Sequence, residues 1–208
     1  MIRRGFARRW LYLPLAAGLA VVVPGALAVW SHELVLFGSL GPTAALMVQD
    51  PGHPAADWYN AVVGHALALL AACSTVWLLG LADTPSIFEQ HAVSWMRVSA
   101  AGLSLALAIA LERLASVRHP PAASTTLLVA LGSFKPTWHD AVTILIGVVA
   151  VTLAAELLKR VLWSPLHYRG NVIHGHQSLQ SHGAGADFST GRGPQEARRR
   201  AGIDPGMG

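Results

Sequence analysis

Apolar residues run in long blocks along this chain rather than alternating with polar ones. Four blocks, residues 10–30, 59–82, 92–111 and 141–163, reach the roughly 20 residues that a helix needs to cross a bilayer. Between them lie two shorter apolar stretches broken by proline, LVLFGSLGPTAALMV (34–48) and HPPAASTTLLVALGSF (119–134). Both are too short for a comfortable straight span. The pattern predicts an all-α polytopic membrane protein with four full spans and two short broken segments.

Composition agrees with this reading. The 208 residues are 53% hydrophobic and only 12% charged, which is richer in apolar side chains and poorer in charge than an ordinary soluble domain. Six of the seven tryptophans, Trp10, Trp30, Trp58, Trp95, Trp138 and Trp163, fall at or near the ends of the long blocks, where an amphipathic ring suits the headgroup level. Cys73 is the single cysteine, so no intrachain disulfide forms. The net charge of +4 comes from arginines at the two ends, which fits orientation in a membrane or attraction to anionic lipid better than nucleic-acid binding.

The start, MIRRGFARRW before an apolar run and Ala26-Leu27-Ala28, has the parts of a cleavable secretory signal. A retained span is the preferred reading, because the segment has a counterpart in the second half of the chain. Residues 169–208 are polar, Gly-rich and aperiodic and read as a disordered cytoplasmic tail. Its His174, His176 and His182 read as solvated side chains rather than metal ligands.

The two halves align. Glu33 falls on Glu112 and Pro42 on Pro121 at one offset, and after a one-residue gap Trp58-Tyr59-Asn60-Ala61-Val62 falls on Trp138-His139-Asp140-Ala141-Val142. The expected organisation is a basic cytoplasmic N-terminus (1–9) and a transmembrane domain (10–163) of two repeats, about 10–82 and 92–163. Each repeat reads long helix, short Pro-broken segment, long helix. If the short segments cross, Arg3, Arg4, Arg8, Arg9, Arg113, Arg118, Lys159 and Arg160 lie inside and Lys135 alone outside, as the positive-inside rule prefers. An odd number of segments per half makes the repeats inverted, the plan of many secondary transporters. Both termini are then cytoplasmic, in what is expected to be a bacterial inner membrane.

Proline has no amide hydrogen and is best tolerated in a helix's first turn. Short helices beginning at Pro42 and Pro121 are therefore expected, preceded by non-helical backbone. A helix that starts within a membrane directs its free N–H groups and roughly half a positive charge ahead of it. Two such starts from opposite leaflets would form an anion site near the midplane. The candidate binding residues are Ser39, Gly41, Pro42, Thr43, His119, Pro120, Pro121, Ser124 and Thr125. The alternative is ordinary Pro-capped helix ends whose Ser and Thr bond back to their own carbonyls. Glu33, His65 and Glu112 are candidates for coupling or gating, because ionisable groups at membrane depth are functional candidates. Each also has a structural reading, as an interfacial charge or a hydrogen-bonded histidine. Arg97 is expected to snorkel to the outer interface, and Glu156 to pair with Lys159 and Arg160.

These residues resemble the HPP family of integral membrane proteins. The resemblance is carried by LFGSLGPTAALM, Pro51 and Pro54, Asn60 with Gly64-His65, and HPPAASTTLL at 119–128, and covers about 36–163. Where the family commonly has Gln-Pro-Arg before the asparagine, this chain has Asp57-Trp58-Tyr59. The resemblance implies a protein usually described with four spans, and nitrite transport as in plastid and cyanobacterial members.

The expected function is thus a transporter or channel for a small inorganic anion, nitrite first, in a lipid bilayer, with no cofactor and no resident metal. A homo-oligomer is expected, since six short segments offer little surface to seal a pathway. The alternative is a non-transporting membrane subunit or signalling protein. An enzyme is not expected: HExxH, GxSxG, Cys-rich metal signatures and phosphate-binding Gly loops are all absent from the sequence.

Overall fold

The computed structural model describes the backbone of residues 2–162 and the side chains of residues 12–161. The tail at 169–208 with its three histidines, and the side chains of the basic N-terminus, lie outside the described residues. Among those described, all regular structure is helical: α1 (Ile2–Ser31), α2 (Leu40–Gln49), a 3-10 turn (Pro54–Ala56), α3 (Trp58–Leu78), the single turn α4 (Ile87–Gln90), α5 (Trp95–Leu114), α6 (Ala122–Ala130) and α7 (Trp138–Leu162). Stretches of α1, α3, α5 and α7 are long and apolar enough to cross a membrane. At 10 and 9 residues, α2 and α6 extend only about 15 Å, roughly half the hydrocarbon depth.

Local chemistry sets the boundaries. Asp57 and Ser94 cap α3 and α5 by accepting from the Tyr59 and Arg97 amides, and Thr137 accepts from the Asp140 amide at the head of α7. Each supplies an oxygen to an amide that has no partner within its helix. Among the described residues, five helices are followed by a left-handed residue, His32, Gly80, His91, Ser116 and Gly132, and three of these turns, at Gly80 after α3, Ser116 after α5 and Gly132 after α6, close in one way. In each case the next amide reaches back across the turn, Leu81 to Val76, Val117 to Glu112 and Ser133 to Leu128, at 2.8–2.9 Å. Gly80 stops α3 short of the expected end at residue 82. Trp77, the seventh tryptophan, therefore also stands at a helix end, exposed, with Nε1 donating to the Pro136 carbonyl.

The two glycines are not equivalent. A Cβ on Gly80 meets nothing within 4 Å, whereas one on Gly132 falls 2.8 Å from an Arg97 guanidinium nitrogen and 3.0 Å from Ser86 Cα. Gly80→Ala is expected to cost about 1 kcal/mol, the left-handed penalty alone. Gly132→Ala is expected to cost about twice that, because overpacking is added. Thermal unfolding of the two variants in one detergent checks the order.

Packing repeats from half to half. α2 lies against α1 and α7, and α6 against α5 and α3. α1 packs on α7 as α5 packs on α3, and α3 and α7 pack on each other. Exchanging α1, α2, α3 for α5, α6, α7 maps this set of helix pairs onto itself. Each short helix is thus held between the first long helix of its own half and the last long helix of the other. The shared core is built largely of small residues, among them Ala16, Ala20, Ala44, Ala61, Ala72, Ala100, Ala130 and Ala155, around Leu40, Met47, Val76, Val148 and Val151. Small side chains let helix backbones approach where lipid provides no hydrophobic drive between helices.

Two expectations are corrected. α2 begins at Leu40, so Pro42 is its third residue, and α6 begins just after Pro121, which is its N-cap. Both prolines still sit where no intrahelical donor is lost. Arg97 does not snorkel: it is 4% exposed. Its Nη1 donates to the Ala130 carbonyl at 3.0 Å, and its Nη2 to the Thr84 carbonyl and hydroxyl at 2.9 and 2.7 Å, with Pro85 and Leu81 carbonyls further off. Carbonyls at the end of a short helix are a favourable place for a cation, and here the cation is buried among them. Glu156 pairs with Lys159 at 2.6 Å and Arg160 at 3.4 Å, as the spacing requires.

Candidate functional site

The heads of α2 and α6 meet. Ser39, at the N-cap of α2, makes no cap bond. Its hydroxyl instead lies 2.7 Å from that of Thr125, in the first turn of α6. One turn into α2, the Thr43 hydroxyl lies 3.0 Å from the Ser39 carbonyl, 2.9 Å from His65 Nε2 and 3.3 Å from His119 Nε2. His65 projects from the second turn of α3, and its Nδ1 lies 2.7 Å from the Thr125 hydroxyl. His119 precedes α6, and its Nδ1 lies 2.8 Å from the carbonyl of Ala55 in the 3-10 turn. A carbonyl only accepts, so that nitrogen carries hydrogen and, in a neutral ring, Nε2 faces Thr43 as an acceptor.

Ser39, Thr43, His65, His119 and Thr125 all have zero exposure. The two imidazoles stand with centroids 5.1 Å apart and planes at 57°. This is a closed polar centre inside an apolar bundle, where every unmade hydrogen bond is expensive. Glycine makes the approach possible, for a Cβ on Gly64 would sit 2.8 Å from His119 Cβ. Glu112 borders the same place. Its Oε1 would lie 3.3 Å from that Cβ, and its carboxylate faces the backbone amide of His119.

The sequence candidates therefore divide. Ser39, Thr43, His119 and Thr125 come together, and His65, read as a coupling residue, belongs to the same cluster. Glu112 is adjacent, but its repeat partner Glu33 is not. Glu33 is at the surface, 3.3 Å from His139 Nε2. Gly41 and Ser124 are half-buried, Pro121 is buried, and Pro42 and Pro120 are exposed. The amides that open α6 are not free: those of Ala122, Ala123 and Ser124 donate to the carbonyls of His119, Pro120 and Pro121 at 2.9–3.2 Å. At this head the helix start presents imidazole and hydroxyl groups rather than bare N–H groups. Sequence reasoning missed the Ala55 carbonyl and its turn, in which His53 Nδ1 accepts from the Ala55 amide. The signal available was Pro54, which favours such a turn start.

Four apolar helices long enough to span, two half-length helices and a buried polar centre between their heads define a polytopic α-helical membrane protein. The family described as HPP, transmembrane region, matches residues 3–168. The chain belongs to the HPP family. No curated protein and no solved structure matches it.

Proposed function

We propose that the protein transports a small inorganic anion, nitrite first, through the site between the heads of α2 and α6. The observation that carries this reading is the buried junction of those heads, where Ser39 of one half bonds Thr125 of the other beside two imidazoles. Polar side chains at membrane depth between two broken segments are where substrate sites of repeat-built transporters lie. The exchange-symmetric packing supports two repeats related by a two-fold axis. Inversion follows from three segments per half, with Arg113, Arg118, Lys159 and Arg160 on the cytoplasmic side together with both termini. Nitrite rests on the family resemblance, and the small-anion class on the pairing of two half-length helix heads between repeats. No chemical transformation is assigned to the protein.

The test is flux. Purified protein in liposomes, with an internal nitrite-sensitive probe and stopped-flow mixing, is expected to admit nitrite. Parallel runs with chloride, nitrate and formate measure selectivity. His119→Ala is expected to lower flux roughly tenfold or more, the effect of about 1.4 kcal/mol on a barrier. Pro121→Ala is expected to impair it by loosening the head of α6. An absence of flux for every anion, with protein correctly inserted, removes the proposal.

A further inference from the structure

The polar centre contains one hydrogen bond too many for its hydrogens. Its contacts number six: Ser39 hydroxyl with Thr125, Thr43 with the Ser39 carbonyl, with His65 Nε2 and with His119 Nε2, His65 Nδ1 with Thr125, and His119 Nδ1 with the Ala55 carbonyl. Three hydroxyls and two neutral imidazoles supply five hydrogens, one apiece. The conflict lies at Thr43. Its single hydrogen faces the Ser39 carbonyl, which can only accept, and His119 Nε2, which in the neutral ring can only accept as well.

An added proton resolves the conflict in one way only. Placed on His119 Nε2, it is donated to Thr43 oxygen, and the Thr43 hydrogen is released to the Ser39 carbonyl. His65 Nε2–H then donates to the second lone pair of Thr43, Thr125 donates to His65 Nδ1, and Ser39 donates to Thr125. All six contacts are made. Placed on His65 instead, the proton leaves Thr43 still shared between two acceptors.

We infer that His119 takes up a proton together with the transported anion, with Thr43 as the hydroxyl that registers it. An imidazolium at zero exposure has lost its water, so it needs a partner of opposite charge to persist. The groups facing the pair are few. From α5 comes Glu112, directed at the His119 backbone amide. Behind Ala55 stands His53, already bonded to an amide. From α2 and α6 come only hydroxyls. α7 carries its ionisable residues, His139, Asp140, Glu156, Lys159 and Arg160, near its two ends. Glu112 is the carboxylate beside the pair, but it is directed at the His119 backbone amide and makes no bond to either ring; the negative charge that meets the imidazolium is the substrate's, and proton and anion each raise the other's affinity, as linkage requires.

This inference rests on the proposed anion site, and one calorimetric experiment separates the two. Sodium nitrite is titrated into the full-length protein in detergent at one pH, in two buffers of different ionisation enthalpy. Uptake of about one proton per bound nitrite is expected. His119→Gln and Thr43→Val are expected to bring the count towards zero, and Thr43→Ser, which keeps the hydroxyl, to preserve it. Binding without proton uptake overturns the inference and leaves the transport proposal standing. Unchanged uptake in His119→Gln overturns the assignment to His119. No binding of nitrite, nitrate or formate, together with no flux, overturns the anion site and this inference with it.

Discussion

Arg97→Met is expected to destabilise the protein by about 3 kcal/mol, from two or three buried carbonyls that lose a charged donor. In a chain of this size that corresponds to a fall of about 6–12 °C in Tm. The guanidinium links the Ala130 carbonyl at the end of α6 to the Leu81, Thr84 and Pro85 carbonyls of the loop between α3 and α4. Methionine fills similar volume but satisfies none of them. Arg97→Lys is expected to fall between, since an ammonium is a compact charge without the planar fork that spans several acceptors. Thermal unfolding of the three proteins in one detergent, read by tryptophan fluorescence, checks the ranking. Equal stability of wild type and Arg97→Met would remove the capping role.

The second large effect is expected at two glycines where non-helical backbone from one half rests on a helix of the other. A Cβ on Gly147 would strike the Val35 carbonyl oxygen and lie 2.9 Å from the Phe37 ring, in the segment that leads into α2. A Cβ on Gly64 would lie 2.8 Å from His119 Cβ, ahead of α6. In neither case is the obstacle the far end of a flexible side chain, so backbone has to move. Gly147→Ala is expected to cost about 1–3 kcal/mol, visible as a lower Tm. Gly64→Ala is expected to pull the imidazole from Thr43, so that nitrite flux is lost even where the fold survives. A Gly64→Ala protein with normal flux would show that the His119–Thr43 contact is not needed for transport.

Much of this architecture is legible in the sequence because lipid imposes a length rule. Four blocks of apolar residues mark α1, α3, α5 and α7, and the prolines mark α2 and α6. The helix ends are less legible, since the left-handed Ser116 carries no sequence signal and Gly80 lies inside an apolar run. Ser39, Thr43, His119 and Thr125 are found by their nearness to the prolines. Their mutual bonding is not, because it depends on how α3 and α6 face each other. Composition places Arg97 near a membrane surface. Its burial is set by four carbonyl groups, one at the end of α6 and three in the loop between α3 and α4, which no local pattern announces. Glu33 and Glu112 are equivalent by alignment yet differ in setting, because the alignment cannot register that Gly64 opens a place beside only one of them.

The reciprocal clasp of the short helices bears on how the protein is made. α2 rests on α1 and on α7, and α7 is synthesised last, so α2 leaves the ribosome long before the second of its two partners exists. Until Trp138–Leu162 arrives, the face of α2 that carries Leu40 lacks the surface beside Gly147 against which it packs in the finished fold. α6, by contrast, meets α3 already in the bilayer. Biogenesis is therefore ordered, with the second half assembling on the first and then locking it. A chain truncated before α7 is expected to leave its first half open to proteolysis in the membrane, whichever helices have already been inserted.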